Sequence, residues 1–280
     1  MIKIVSDSTC DLPADWLREY DITVVPINIQ FGTETYYEGV TIDPSTFYKM
    51  IEETGIFPTT SQPSVGEFAQ VYRRLAKDAD SILSIHVTGK LSGTCQSAEL
   101  AKQEVADEVE VHVFDTLGGS AGMGFMCVEA ARLIQAGRSV EEILHRLEEM
   151  RERINIFLTM DTLEFVRRSG RVGALKFAFG SVLNLKPIVV LEEGLLEAKE
   201  NLRSRKKALT RLLELTQEAV GTSKPINLAV IHAVAPKEAE EMLERAKGIF
   251  NCQEAFIADL AISLAVQFGP GTVGLVSYQA

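Results

Sequence analysis

The sequence predicts an α/β protein of two domains, an N-terminal domain on a parallel sheet and a C-terminal domain with a mixed or largely antiparallel sheet. The chain has 280 residues, and a domain typically holds about 100–200. In the first half, short Val- and Ile-rich runs alternate with amphipathic stretches, as in parallel βαβ units. In the second half, two strand-like runs flank Glu192-Glu193-Gly194, which indicates antiparallel pairing there.

Four short apolar runs predict the strands of the N-terminal sheet. They cover residues 2–5, 22–25, 81–85 and 109–114, and polar turn residues bound them. Continuous Val and Ile content is typical of strands that are buried on both faces of a parallel sheet.

Capping residues mark the helices between these strands. Asp43-Pro44 suits an N-cap followed by the first helical position, and capping boxes open helices at Ser64-Val65-Gly66-Glu67 and Ser139-Val140-Glu141-Glu142. Helical spacing also predicts helices over 96–106 and 122–135. The helix that follows Ser139 should end near Arg153, so we predict domains of residues 1–153 and 154–280.

The C-terminal half has its own succession of elements. Predicted strands cover 156–159, 187–191, 195–202, 226–231, 254–257 and 273–278, and predicted helices cover 161–168, 206–220 and 236–250.

Composition excludes several classes of protein. A hydrophobic fraction of 46% and a charged fraction of 24% support a folded core rather than disorder. A net charge of -11 argues against a general surface for nucleic acid or anionic membrane. No apolar run reaches the roughly 18–20 residues of a membrane span, and the N-terminus lacks the apolar region of a signal peptide. We therefore expect a cytoplasmic protein.

The usual catalytic and metal-binding signatures are absent from the sequence. Cys10, Cys95, Cys127 and Cys252 form no CxxC pair, so neither disulfides nor a zinc site are expected. No HExxH and no G-x-S-x-G motif occurs. A Ser92–His86–Asp115 triad can be drawn, but no sequence signature accompanies it.

Two hydroxyl-rich segments are candidate anion sites. Residues 59–64 (TTSQPS) precede a capped helix, whose N-terminus offers free donors, although an ordinary capping turn has the same composition. Residues 88–94 (TGKLSGT) follow a strand, at the position where open α/β sheets bind ligands. A plain connecting loop fits the second segment as well.

Glycine-rich and basic segments leave further alternatives open. Residues 118–124 lack the GxGxxG register, so close helix packing is favoured there over nucleotide binding. The clusters at 167–173 and 203–207 are rich in Arg, which could pair with carboxylate or phosphate or simply be solvated. Residues 268–272 predict a tight turn into the last strand.

Together, these segments resemble the DegV family of bacterial fatty-acid-binding proteins. The matching motifs run in order along nearly the whole chain: DSTCDLP at 7–13, TSQPS at 60–64, LSGTCQSA at 91–98, GRVG at 170–173, LNLKPI at 183–188 and GPGT at 269–272.

The resemblance implies a non-enzymatic carrier that holds one long-chain fatty acid and needs no cofactor or metal. The tail would lie in an apolar tunnel of the N-terminal domain, with the carboxylate near the domain interface. Carried over by motif, the carboxylate-binding residues would be Thr60, Ser61, Ser92, Gly93, Thr94, Arg171 and Gln267. A separate ATP-dependent kinase would convert the bound acid to an acyl phosphate for phospholipid synthesis.

Docking to that kinase is assigned to Arg171, Arg203 and Arg205, because a local Arg cluster on an acidic protein suits one partner face. The family often has His two residues before GPG, where this chain has Gln267. Gln can donate a hydrogen bond but cannot carry a proton charge.

Two hypotheses from other functional classes stay open. One is a hydrolase or transferase that uses Ser92, and the other is a binder of a different small anionic metabolite. A fatty acid also needs apolar walls, which the helix over 122–133 could supply, although an ordinary core would have the same composition.

Overall fold

The computed structural model describes residues 1–169 and 185–280. The chain forms two compact units. The first comprises Met1–Arg151 with Ala261–Ser263, and the second comprises Glu152–Leu260 with Leu264–Ala280. The α/β class, with one parallel and one mixed sheet, is confirmed. The limits 1–153 and 154–280 stay a prediction.

The first unit contains seven strands: β1 (Ile2–Asp7), β2 (Ile22–Val25), β3 (Asn28–Phe31), β4 (Glu34–Tyr37), β5 (Thr59–Ser61), β6 (Ser81–His86) and β7 (Glu110–Asp115). Four of them form a parallel sheet in the order β2-β1-β6-β7. These are the four strands that the sequence predicts, and their apolar residues are buried except Ile2, Val24 and Val113, which are partly exposed. Three of the strands run on to polar residues at their carboxyl ends, namely Asp7, His86 and Asp115.

The other three strands form a small antiparallel sheet in the order β4-β3-β5, which the sequence did not predict. The segment Thr59–Ser61 was expected to be a turn or anion loop before a helix, but it is a strand that pairs with β3. Its hydroxyl-rich sequence contains no apolar run that would predict a strand. The segment is a strand because it pairs with β3, where Ile29, 31 positions earlier in the chain, lies opposite Thr60.

Six α-helices lie in or begin within Met1–Arg151: α1 (Ala14–Glu19), α2 (Pro44–Thr54), α3 (Val65–Leu75), α4 (Thr94–Glu104), α5 (Ser120–Gln135) and α6 (Val140–Arg153). The predicted caps are confirmed, since Asp43 accepts a hydrogen bond from the Thr46 amide at 2.9 Å and Ser64 forms a capping box with Glu67. A 3-10 turn, Ser8–Cys10, follows β1. Neither this turn nor α1 was predicted.

The second unit is built on a mixed sheet of six strands: β8 (Asn155–Thr159), β9 (Lys186–Glu192), β10 (Leu195–Leu202), β11 (Ile226–His232), β12 (Cys252–Asp259) and β13 (Val273–Gln279). Their order is β10-β9-β8-β13-β11-β12. Only β11 and β12 are parallel; the other neighbours are antiparallel. The predicted hairpin between β9 and β10 turns at Glu193 and Gly194, which both have positive φ, as a tight hairpin requires.

Among the described residues, four further helices follow: α7 (Glu164–Ser169), α8 (Arg205–Val220), α9 (Pro236–Ile249) and α10 (Ile262–Phe268). Helix α10 was not predicted, and α7 begins three residues later than the predicted position 161. Apolar side chains of α8 and α9 pack on the sheet in one core cluster. Within the ranges 1–169 and 185–280, no helix is both long and apolar enough to cross a bilayer.

Candidate functional site

The loops that follow β6 and β7 are locked together at the carboxyl edge of the parallel sheet. The Thr88 amide donates to the Gly118 carbonyl at 2.9 Å, and the Gly89 amide donates to Asp115 Oδ2 at 3.1 Å. Because parallel strands end at one edge, this is the place where open α/β sheets bind ligands. These two hydrogen bonds therefore hold the start of the predicted 88–94 loop against the end of β7 and the loop that follows it.

The loop over 88–94 presents hydroxyl groups and backbone amides. Ser92 Oγ lies 2.8 Å from Thr94 Oγ1 and accepts a hydrogen bond from the Thr94 amide at 3.2 Å. Helix α4 starts directly after Gly93, and α5 starts directly after Gly119. Glycine has no side chain with which to cap a helix. Apart from the Thr94 amide, which donates to Ser92 Oγ, the amides of both first turns are therefore suited to an anionic oxygen.

The two hydroxyl-rich motifs meet in space. A Cβ placed on Gly93 would lie 2.3 Å from Nε2 of Gln62, so the Gln62 side chain lies directly against the backbone of the 88–94 loop. Thr60 and Ser61 precede Gln62 on β5. The structure thus brings TSQPS and LSGT together inside the first unit, as the sequence motifs suggest.

Gln62 and Asn28 are two residues of this region that the sequence analysis did not single out. Asn28 Nδ2 lies 3.4 Å from the Gln62 carbonyl, and Asn28 pairs with Ser61 in the sheet. Gln62 could have been found from the sequence, because it lies within the TSQPS motif. No sequence feature marks Asn28, because its position depends on a strand that was not predicted.

The remaining predicted site residues lie elsewhere. Gln267 is a buried residue of α10 in the second unit. Arg203 is exposed after β10. Arg205 Nη2 forms a 2.6 Å ion pair with Glu238, and its side chain is 17% exposed. Arg171 lies outside the residues that the structure describes.

The Ser92–His86–Asp115 triad that could be drawn from the sequence is wrong. His86 Nδ1 lies 3.0 Å from Asp7 Oδ2, and Nε2 lies 2.6 Å from Ser84 Oγ. Asp115 instead accepts the amides of the two loops that follow β6 and β7. The triad fails because both nitrogens of the imidazole are occupied by other partners.

Asp7 is fully buried next to the loop over 88–94 and accepts several hydrogen bonds from neighbouring residues. Burial raises the pKa of this carboxyl, but hydrogen bonds from His86, Thr9 and Val87 outweigh that effect, and the pKa lies below its ordinary value. Asp7 therefore stays ionised at neutral pH, although no water reaches it.

Two more buried carboxyl groups hold the segment Ala261–Ser263 within the first unit. Asp11 Oδ1 accepts the Ala261 amide at 2.8 Å, and Glu38 Oε1 accepts the Ser263 amide at 3.0 Å. Burial raises the pKa of both groups, more strongly for Asp11. These carboxyl groups accept the Ala261 and Ser263 amides at the start of α10 and so act as its caps.

Hydroxyl groups and backbone amides are the hydrogen-bond donors of the loop over 88–94 and of the start of α4. In the described part of the chain, no cluster of three or more His, Cys, Asp or Glu side chains could hold a metal ion. Burial raises the pKa of Cys10, and it raises that of Cys127 to about 12. Both thiols therefore stay protonated and unreactive.

Comparison with known proteins decides the family. The DegV family model matches residues 1–280. The chain belongs to the DegV family. Protein DegV of Bacillus subtilis is 33% identical over 275 residues, which cover 98% of each chain.

Two solved structures of similar proteins carry information on ligands. A DegV family protein from Thermus thermophilus, whose structure is described as fatty acid binding, is 37% identical with a TM-score of 0.93, covering 100% of this chain and 99% of that one. A stearic acid-binding protein from Eubacterium ventriosum is 25% identical with a TM-score of 0.93, covering 100% of this chain and 98% of that one. Structures of DegV homologues thus include fatty-acid-binding proteins.

Proposed function

We propose that this DegV family chain binds one long-chain fatty acid as a carrier and catalyses no reaction itself. The observation that carries the proposal is the contact between Gln62 and Gly93, which joins two hydroxyl-rich motifs in a family whose solved members bind fatty acids. The proposed carboxylate-binding residues, as carried over by motif, are Thr60, Ser61, Ser92, Gly93, Thr94, Arg171 and Gln267.

The head group requires paired donors, because an unpaired charge is costly to remove from water. Hydroxyls of Ser92 and Thr94, with the first amides of α4, supply short-range donors of this kind. The site is thus built from neutral groups that recognise a carboxylate through hydrogen bonds, and the proposed Arg171 contact would add charge.

The tail requires apolar walls. Helix α5 is suited to this, since its side chains Met123, Phe125, Met126 and Val128 are at most 2% exposed. Burying a CH₂ group contributes about 0.8 kcal/mol, so the tail would supply most of the affinity. We propose that α5 lines a tunnel in the N-terminal domain.

The carrier role extends to a partner. We propose that a separate ATP-dependent kinase receives the bound acid and forms an acyl phosphate, which feeds phospholipid synthesis in the cytoplasm. Arg203 is exposed and suits docking to an acidic face of that kinase. Arg205 is held by Glu238, so its contribution would act together with that pair, and Arg171 completes the proposed docking set.

Mass spectrometry of an organic extract from the natively purified protein tests the binding proposal. We expect a near-stoichiometric long-chain fatty acid, reduced or lost in a Thr60→Ala/Ser92→Ala double variant. The matched control is Thr222→Ala/Ser223→Ala, which removes the same two hydroxyls from an exposed turn of the second unit. An extract without acyl chains, and a protein that takes up no added fatty acid, would refute the proposal.

A second candidate, a binder of a small anionic metabolite, is supported by the two glycine-preceded helix starts at one sheet edge. The same extract separates the two, because that ligand would lack a long alkyl chain. The hydrolase reading has less support, since Ser92 contacts Thr94 and His86 contacts Ser84. Fluorophosphonate labelling that disappears in Ser92→Ala would revive it.

A further inference from the structure

A chain of four fully buried side chains runs from α3 to the carboxyl end of β1. The Tyr72 hydroxyl lies 2.8 Å from Ser84 Oγ, which lies 2.6 Å from His86 Nε2. His86 Nδ1 lies 3.0 Å from Asp7 Oδ2. Each of the four residues is 0% exposed, so their polar atoms depend on one another rather than on bulk water.

Asp7 gathers four donors at the far end of this chain. Oδ2 accepts from His86 Nδ1 and from the Val87 amide, the latter at 3.1 Å. Oδ1 accepts from the Thr9 amide at 3.1 Å and from Thr9 Oγ1 at 2.5 Å. One carboxylate therefore ties the end of β1 to the end of β6.

A neutral imidazole gives the chain a single direction. A carboxylate only accepts, so His86 donates from Nδ1, and Nε2 of the neutral ring is then an acceptor. Ser84 accordingly donates to His86, and Tyr72 donates to Ser84. In this arrangement every polar hydrogen of the four side chains is used, which a buried network requires for stability.

The hydrogen bond from the Val87 amide to Asp7 lies directly before the proposed head-group loop of residues 88–94. Val87 is the residue before Thr88, and the Thr88 carbonyl accepts the Ser92 amide at 3.1 Å. Thr88 Oγ1 also accepts the Lys90 amide at 3.2 Å. The position of the Val87 amide thus sets the start of the turn that carries Ser92.

We propose that Asp7, oriented by His86, is a positioning residue for fatty-acid binding: it fixes Val87 and thereby holds the Ser92 and Thr94 hydroxyls where a carboxylate meets them. This role rests on the proposed function. Asp7 does not touch the ligand, and it acts only through the backbone of the loop.

The order Asp7–His86–Ser84 is also that of a hydrolase triad. The surroundings of Ser84 differ from those of a nucleophile, which must reach a substrate carbonyl. Its Oγ is fully buried and receives the Tyr72 hydroxyl. The same three side-chain types therefore serve to hold the loop rather than to attack a bond.

The test compares Asp7→Asn with Thr216→Val in fatty-acid affinity, measured by displacement of a fluorescent fatty acid. Asn places an amide donor against donors that Asp7 now satisfies, so we expect Kd to rise about tenfold or more, as for a lost charge-assisted hydrogen bond. Amide hydrogen exchange over residues 87–94 should speed up without ligand. Thr216→Val removes a fully buried hydroxyl on α8, outside this chain, and should leave the affinity within about twofold.

A second measurement uses the wild-type protein and so does not depend on whether a variant folds. Nitrogen NMR of the ligand-free wild-type protein should find His86 protonated at Nδ1 and bare at Nε2, and a proton on Nε2 would overturn the proposed direction of the chain. A folded Asp7→Asn variant with unchanged affinity would overturn the positioning role alone. Fluorophosphonate labelling of Ser84 would replace it with a catalytic role. Failure of the wild-type protein to bind any fatty acid would instead refute the proposed function.

Discussion

The side-chain amide of Gln62 lies so close to Gly93 that a side chain at position 93 would require Gln62 to move. A Cβ there would lie 2.3 Å from Gln62 Nε2 and 2.4 Å from Oε1. The close approach and not the backbone conformation favours glycine here, since its φ of -80° is one that any residue adopts.

Gly93→Ala should therefore weaken fatty-acid binding. Its methyl group must displace Gln62, which separates the TSQPS segment from the 88–94 loop, and we expect an affinity loss of about tenfold, as for about 1.4 kcal/mol of lost contact. Titration with a fluorescent fatty acid measures the loss.

Two controls define the cause of that loss. Gly66→Ala, on α3, meets nothing within 4 Å and should stabilise the protein by up to about 1 kcal/mol without changing affinity. Gln62→Ala opens room for the methyl group, so in its presence Gly93→Ala should weaken binding less. Equal losses with and without Gln62 would show that their contact is unimportant.

Glu38 makes stability depend on pH in a direction opposite to that of Asp7. Burial raises the pKa of Glu38 even though Ser8 and Ser263 donate to it. Between its ordinary pKa and the raised one, the folded protein holds a proton that the unfolded chain has lost. Stability from this group is therefore full below the ordinary pKa and is lost as pH rises through the raised value.

Glu38→Gln removes this contribution. Compared with wild type, the free energy of unfolding of the variant should fall less steeply as pH rises above the ordinary Glu range, as measured by urea unfolding at several pH values. Glu52→Gln on the exposed side of α2 is the matched control and should follow the wild-type curve. Parallel curves for wild type and Glu38→Gln would contradict the raised pKa.

The sequence predicted the elements whose burial follows from local composition. Strands β1 and β6 are short segments rich in Ile, Val and Leu, and capping residues such as Ser64 mark helix starts within a few positions. The antiparallel sheet was missed because β5 is three residues of Thr and Ser. Its conformation follows from pairing with a distant strand and not from its own residues.

In the candidate site, too, the sequence predicts what lies within one segment and misses contacts between distant segments. The hydroxyl motifs are visible in the sequence because each is a contiguous segment. The pairing of Asp7 with His86 joins residues 79 positions apart, and no periodicity connects them. The triad that could be drawn from the sequence paired His86 with Asp115, but Asp7 at the end of β1 takes that place.

Arg203 and Arg205 should differ in what they contribute. Arg205 forms a 2.6 Å ion pair with a Glu238 side chain that is 35% exposed, so Arg205→Ala should lower the free energy of unfolding by about 1–2 kcal/mol. Arg203 is exposed, and Arg203→Ala should change stability by less than about 0.5 kcal/mol. Urea unfolding of both variants measures the difference.

The same pair tests docking to the proposed kinase. Arg203→Glu should reduce acyl phosphate formation with the proposed ATP-dependent kinase, most strongly at low salt, where exposed charges are least screened. The fatty acid content of the carrier should be unchanged. Full acyl phosphate formation by Arg203→Glu at low salt would remove Arg203 from the docking surface.

Gly124 on α5 packs on the turn after β1, which supports close helix packing as the reason for the glycine-rich segment over 118–124. A Cβ there would lie 2.4 Å from the Cys10 carbonyl oxygen and 2.7 Å from Leu12 Cγ. Because the nearest atom belongs to the backbone, it cannot rotate away as a side chain would.

Gly124→Ala should thus destabilise the protein by about 1–3 kcal/mol through overpacking, although alanine is the better helix former. Gly248→Ala on α9 is the matched control, since nothing lies within 4 Å of its Cβ position, and it should stabilise by about 0.5–1 kcal/mol. Urea unfolding midpoints of the two variants should therefore move in opposite directions. A midpoint that rises for Gly124→Ala would mean that α5 can shift away from the turn without loss.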